Sequence, residues 1–239
     1  MQDRTPAVRG HEDWRPVPLF RIFAQPTEGI MDKHTPAPGR SELIEASLDP
    51  DPVIQFKRWL KDAVDANIPQ ENAMTLATAS TDGKPSARIV LLKSVDARGF
   101  TFFTNYQSRK GRDLEENPRA ALIFYWEALG RQVRIEGLVE KIPAEESDAY
   151  FNSRPLENKL SSVASPQSQP TSRDELDRRY DELKLRYANR PVPRPEHWGG
   201  YRVRPEQMEF WQRRFARLND RVEYVRQKDG SWKMTRLAP

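Results

Sequence analysis

The sequence predicts an α+β protein, mainly β, built on an antiparallel barrel or sandwich with peripheral helices. Two observations predict it. Five short stretches between residues 73 and 141 carry strand patterning and are joined by short connections. Helical patterns at 143–154 and 172–188 then precede a return to strand character, so these helices are insertions between strands of one barrel.

Residues 1–38 are rich in Pro, Arg and Asp with little periodicity, the composition of a disordered extension. Asp3, Glu12 and Asp13 argue against a transit peptide, and Met31 is an alternative start. Residues 39–239 are expected to form a single domain. In "LDPDPVIQFKRWLKDAVDAN", Asp51 is the expected N-cap and Pro52 the first helical residue. Val53, Phe56, Leu60 and Val64 fall on one stripe, which should face a core, and Ile68-Pro69 ends the helix.

"AMTLATAS", "SARIVLLKSV" and "FTFFTNY" alternate as strands around the turns "TDGK" and "DARG". "SRKGRDLEEN" is a helix capped by Ser108 and stopped by Asn117-Pro118. "RAALIFYWEA" and "RQVRIEGLVEKI" form a hairpin around Leu129-Gly130. A helix at "AEESDAYFNSR", a polar loop through "SSVASPQSQPTS" and a long charged helix follow. "WGGYRVRPEQMEFWQ" and a last hairpin, turning at Asp229-Gly230, return to strand.

Composition narrows the chemistry. The 39 Lys and Arg against 35 Asp and Glu leave +4, which permits an anionic ligand without demanding nucleic acid. Without cysteine there is no disulfide framework or thiolate metal site, and His11, His34 and His197 show no ligand spacing, so no metal is expected. No apolar run has the length of a membrane span, and a cytoplasmic location is expected.

The cations suggest the ligand. Arg109 and Lys110 open a helix whose free amides favour an anion, and Arg with Lys is good phosphate-binding chemistry. A solvated basic helix end is the plainer reading of the same cluster. Arg88 and Lys93 share a strand five residues apart, so a regular strand sends them to opposite faces and only a bulge or strand end unites them. Gln132, Gln167 and Ser168 are candidate hydrogen-bonding residues that read equally well as loop residues, and Phe210-Trp211 reads more readily as core.

Taken in order, "ARIVLLK", "FFTNYQSRKGRDLEENPRAAL", "GRQVRIEGLVEK", "YFNSRP", "WGGYRV", "EFWQ" and the terminal "RLAP" resemble the pyridoxine/pyridoxamine 5′-phosphate oxidases over roughly residues 50–239. The resemblance implies a split β-barrel, a homodimer, and flavin mononucleotide (FMN) at the subunit interface. It implies FMN contacts along Arg88, Ile89, Val90, Leu91, Leu92 and Lys93, and at Phe103, Thr104, Arg109 and Lys110. Gln132, Gln167, Ser168, Trp211 and Arg221 fall on the remaining FMN positions, and only Phe103, often Tyr in relatives, departs from the usual type.

The implied activity is oxidation of pyridoxamine or pyridoxine 5′-phosphate to pyridoxal 5′-phosphate, with dioxygen as acceptor and hydrogen peroxide released. Lys93, Tyr150 and Arg154 would meet the substrate phosphate, and Arg217 is the implied catalytic position over the substrate ring. The substrate half departs from the pattern. Asn158 replaces a Ser, Asn219 follows Arg217-Leu218 where relatives carry His, and Ser161-Ser162-Val163 stands for Gly-Ala-Trp. Arg213 and Arg214 follow "FWQ" where Gly is usual. Two alternatives therefore accompany the main reading: an FMN oxidase with another substrate, as in the phenazine-pathway flavoenzymes, and a non-catalytic flavin carrier. A single-stranded nucleic-acid binder is a third, from the basic, aromatic-rich strands.

Overall fold

The structure is a computed structural model that describes residues 42–239. The extension expected over 1–38 lies outside the described residues. Helix α1 (Pro52–Asp65) begins as its sequence dictates: the Asp51 carboxylate accepts from the Val53 amide at 2.8 Å, and Pro52 fills the first turn. Its buried stripe is Val53, Phe56, Trp59 and Ala63, while Val64 is exposed. At 3.6 residues per turn Ala63 lies roughly 20° from Phe56 and Val64 roughly 80°, so the core takes the alanine.

Among the described residues nine antiparallel strands make one curled sheet. They are β1 (Ala73–Ala79), β2 (Pro85–Leu91), β3 (Ser94–Asp96), β4 (Gly99–Asn105), β5 (Arg119–Trp126), β6 (Arg131–Lys141), β7 (Trp198–Gln212), β8 (Asp220–Arg226) and β9 (Trp232–Leu237). The order is β2-β1-β5-β6-β7-β4-β3, with β8 added to β7 and β9 to β8. The helices α2 (Arg109–Glu116), α3 (Ala144–Ser153), α4 (Leu156–Ala164) and α5 (Arg173–Arg186) lie between strands in the chain.

Strand β7 divides its partners. Its first half pairs with β4 and its second half with β8, while β6 runs along both halves. The division falls at a bulge, where Glu136 faces Gln207 but Gly137 faces Pro205. Pro205 has no amide to give the ladder, which a bulge tolerates. A side chain at Gly137 would meet the Arg204 carbonyl oxygen at 2.0 Å.

The main core lies between α1 and the sheet. Phe56 meets Phe100 edge-on at 4.9 Å and Phe124 at 4.8 Å, and Trp59 meets Phe210 edge-on at 5.1 Å. Each such side chain contributes about 1.5–3 kcal/mol by burial. A second cluster of Phe151, Leu160, Val192 and Trp198 packs with Phe103 and Tyr150 and seats α3 and α4 beside the start of β7.

Two elements differ from the sequence expectation. The strand expected over "SARIVLLKSV" is two, because Leu92 turns into the core and the Lys93 amide bonds to the Thr101 carbonyl at 2.9 Å. Helix α4 occupies the start of the expected polar loop, since Leu160 and Ala164, one turn apart, are buried. Among the described residues no helix is long and apolar enough to cross a membrane, and no cluster of His, Asp and Glu has metal-binding geometry.

Candidate active site

A cleft of about 530 Å³ opens where β2, the end of β4, the start of α2 and the loop after α4 meet. Local sequence makes this possible. Ser108 caps α2, accepting from the Gly111 amide. A side chain at residue 111 would lie 1.9 Å from the Tyr106 carbonyl oxygen, so glycine lets the first turn press against the chain leaving β4. Arg109 and Lys110 are thereby held at the cleft.

Arg88 is fixed from below. Its guanidinium donates to Thr78 Oγ1 at 2.7 Å, Ser86 Oγ at 2.5 Å and the Leu76 carbonyl at 3.3 Å. Thr78 in turn donates to the Asp113 carboxylate at 2.6 Å, which stands 3.8 Å from Arg88. Burial lowers the Arg88 pKa, Asp113 opposes that shift, and Arg109 adds to it. Sequence reading missed Thr78, Ser86 and Asp113. The alternation that puts Ser86 on the same strand face as Arg88 was a legible signal, whereas the contact with Asp113 on α2 was not.

Lys110 is only 8% exposed and its ammonium reaches three neutral oxygens: Thr104 Oγ1 at 3.1 Å, Ser108 Oγ at 3.2 Å and Gln167 Oε1 at 3.2 Å. Among the described residues no carboxylate pairs with it. Desolvation, with the nearby Arg88 charge second, pulls its pKa down to about 8. An oxyanion entering the cleft meets a buried ammonium, two guanidinium groups and the amide end of α2.

A second pocket, about 240 Å³, shares Phe103, Thr104 and Gln167 with the cleft and adds Arg154. Phe103 stacks on Tyr150 at 4.0 Å and on Trp198 at 5.4 Å, which carries the aromatic cluster up to the pocket. The Arg154 guanidinium lies 4.8 Å over the Trp198 ring, and burial lowers its pKa.

The other expected residues lie elsewhere. Of the β2 run, Arg88, Ile89 and Val90 line the cleft, while Leu91, Leu92 and Lys93 do not. Leu92 is core and Lys93 is exposed beyond the strand end. Gln132, Trp211 and Arg221 form one cross-strand row, Gln132 opposite Trp211 and Trp211 opposite Arg221. Gly200, opposite Phe103, and Trp211 are separated by roughly 35 Å of strand path, so cleft and row belong to opposite ends of β7. Phe210 is core and Trp211 is half-buried.

Arg217, Leu218 and Asn219 occupy the β7–β8 connection. Ala216 and Arg217 both have left-handed backbones, φ 54° and 62°, an unfavourable conformation for side chains larger than hydrogen. The Asn219 carboxamide oxygen accepts from the Arg214 amide at 3.0 Å and closes this loop. Arg213 reaches the Tyr125 hydroxyl at 2.6 Å, and Arg214 turns to Glu42 at 2.7 Å, so Arg214 is paired within the scaffold. Asn158 is exposed.

Known proteins resemble this chain over most of its length. Residues 60–188 match the family described as pyridoxamine 5′-phosphate oxidase, and residues 198–239 the pyridoxine 5′-phosphate oxidase C-terminal dimerisation region. The chain is 56% identical over 200 residues to a pyridoxine/pyridoxamine 5′-phosphate oxidase of Bordetella petrii, covering 84% of this chain and 95% of that one. A namesake of Rubrobacter xylanophilus is 56% identical over 201 residues, 84% of this chain and 92% of its own. Among solved structures, PhzG of Burkholderia lata, in complex with tetrahydrophenazine-1-carboxylic acid, superimposes with TM-score 0.77 at 35% identity, over 81% of this chain and 95% of its own. An FMN-binding protein of Nostoc punctiforme has the same fold, with TM-score 0.67 at 15% identity over 80% of this chain and all of its own.

Proposed function

The chain belongs to the pyridoxamine 5′-phosphate oxidase family, and from that premise we propose that it oxidises pyridoxamine and pyridoxine 5′-phosphate to pyridoxal 5′-phosphate, using FMN and dioxygen and releasing hydrogen peroxide. One observation carries the reading: a buried Lys110 with no carboxylate partner among the described residues, beside Arg88 and Arg109 at a helix N-terminus. That donor set fits the phosphate of FMN, a dianion with three acceptor oxygens. FMN held there would supply the redox chemistry, taking up a hydride from the substrate's 4′ carbon and passing the electrons to dioxygen.

The chain's own residues bind and orient. Lys110, Arg88 and Arg109 neutralise the cofactor phosphate, with Thr104, Gln167 and Ser168 completing the wall. Ile89, Val90 and Phe103 give the cleft an apolar side for a ring system. Arg154, with Tyr150 and Lys93, receives the substrate phosphate; Arg217, which follows the far end of β7, stands over the substrate ring from the partner subunit of a homodimer and balances charge there. Gln132, Trp211 and Arg221 complete the cofactor site from the partner subunit of a homodimer. Two observations support that arrangement: the row and the cleft belong to opposite ends of β7, and Ile89, Tyr125 and Leu218 are exposed beside them, at 64%, 49% and 70%. The enzyme works in the cytoplasm, its described residues folded as one domain.

The PhzG likeness supports oxidation of a different substrate less well, since the oxidases of B6 phosphates share 56% identity and PhzG 35%. Anaerobic mixing of the FMN-loaded protein with pyridoxine or pyridoxamine 5′-phosphate tests the function. Bleaching of the flavin absorbance is expected; a flavin that stays oxidised with both overturns the reading.

A further inference from the structure

We propose that Ser162 is a positioning residue, which locks the Arg154 guanidinium in the orientation that receives the substrate phosphate; the assignment rests on the functional reading above. Ser162 sits on α4, four residues after Asn158, and its hydroxyl donates to the Asn158 carbonyl at 2.9 Å. That bond fixes the hydroxyl rotor and spends its single proton, leaving oxygen lone pairs to accept. One of them accepts from Arg154 Nη1 at 2.7 Å. The serine therefore transmits the position of the α4 backbone to a guanidinium on the far side of Pro155.

Trp198 supplies the second restraint. Its ring lies under the guanidinium at 4.8 Å and is itself buried in the aromatic cluster with Phe151 and Phe103. Two restraints, one polar and one π, define both the height and the rotation of a planar group. Among the described residues Arg154 has no carboxylate partner, and its Nε and Nη2 groups make no hydrogen bond. A guanidinium that is half-buried, held on one side and unoccupied on the other presents a preformed fork for an oxyanion. The pocket it faces also holds Thr104, Ser161 and Ser165, hydroxyls rather than carboxylates. A long side chain held in advance loses less rotamer freedom on binding, so the lock acts on affinity and not on the chemical step.

The test uses FMN-loaded, full-length wild type, S162A, S162T, R154A and the R154A/S162A double variant. Steady-state oxidation of pyridoxine 5′-phosphate gives kcat and KM, and equilibrium titration with pyridoxal 5′-phosphate gives a Kd independent of turnover. Alanine is a good helix former, so S162A retains α4. S162A is expected to raise KM and the product Kd about fivefold to tenfold, the scale of one hydrogen bond, with kcat within about twofold. S162T restores both, because its hydroxyl can make the same two bonds. In the R154A background S162A adds nothing, since the serine acts only through the arginine. Unchanged KM and Kd in S162A, or an undiminished effect without Arg154, overturns the positioning role while leaving the function standing. Absence of wild-type turnover with both B6 phosphates overturns the function and the positioning role together.

Discussion

The cations that face the pockets near the start of β7 and those that meet Glu209 near its end are held in opposite ways. Near its start, Lys110 and Arg154 are buried or half-buried and held by hydroxyls, a carboxamide and an indole ring. Near its end, Arg221 forks onto Glu209 at 2.8 and 3.1 Å, and Arg134 reaches the same carboxylate at 2.9 Å. Glu209 is 3% exposed, so these arginines serve the scaffold by satisfying a buried anion. A buried cation without an anion is unfavourable on its own. Its presence at one end and not the other separates the end that, in the proposed function, receives phosphate from the end whose cations are paired.

Four experiments break or sharpen that contrast. The largest effect is expected from Arg217→Ala, which removes an exposed cation that pairs with no carboxylate among the described residues. Turnover should fall about a hundredfold, the scale of one lost electrostatic contact in a transition state. FMN should stay bound, and loss of flavin in this variant would mean that Arg217 belongs to the cofactor site.

Lys110→Ala should weaken FMN binding by about 1.5–3 kcal/mol, the range for a charged hydrogen bond. The empty chain should unfold no earlier than wild type, because the variant removes an unpaired buried charge. Unchanged FMN affinity by fluorescence titration would contradict the phosphate assignment. Arg221→Ala should do the reverse to the fold. Leaving Glu209 with Arg134 alone is expected to cost about 1–2 kcal/mol in denaturant unfolding of the empty chain. An unfolding midpoint equal to wild type would show that Arg134 suffices.

The smallest effect is a pH dependence. The Lys110 pKa, lowered from 10.5 to about 8 in the empty chain, rises again when a phosphate dianion lies beside it. FMN affinity is therefore full between about pH 6, where the phosphate becomes a dianion, and about pH 8, and declines above that by up to about tenfold per pH unit, as the free chain loses the proton that the complex keeps. Stability of the empty chain has the opposite sign. Between about pH 8 and 10.5 the unfolded chain holds a proton that the folded one has released, so folding strengthens as pH rises. Isothermal titration at two pH values and unfolding at the same two separate the signs; affinity that holds level above pH 8 would place Lys110 away from the phosphate.

Much of this architecture was legible from local patterns. Alternation marked the strands and Asp51 and Ser108 announced their helices, while the cluster Arg109-Lys110 read more plainly as a solvated helix end until the family resemblance was added. Helix α4 was not legible, because its buried stripe is only Leu160 and Ala164 among serines. The break at Leu92-Lys93 was equally hidden, since apolar residues continue across it.

By themselves, the residues of this chain determined an antiparallel β protein with inserted helices and a basic helix start, since periodicity and capping act within a few residues of chain. Only tertiary structure decided which cations lack an anion. Pairing depends on side chains far apart in sequence: Asp113 reaches Arg88 through Thr78, Glu209 takes Arg221, and nothing acidic among the described residues pairs with Lys110. Burial then sets what each charge is worth, and burial belongs to the folded sheet as a whole.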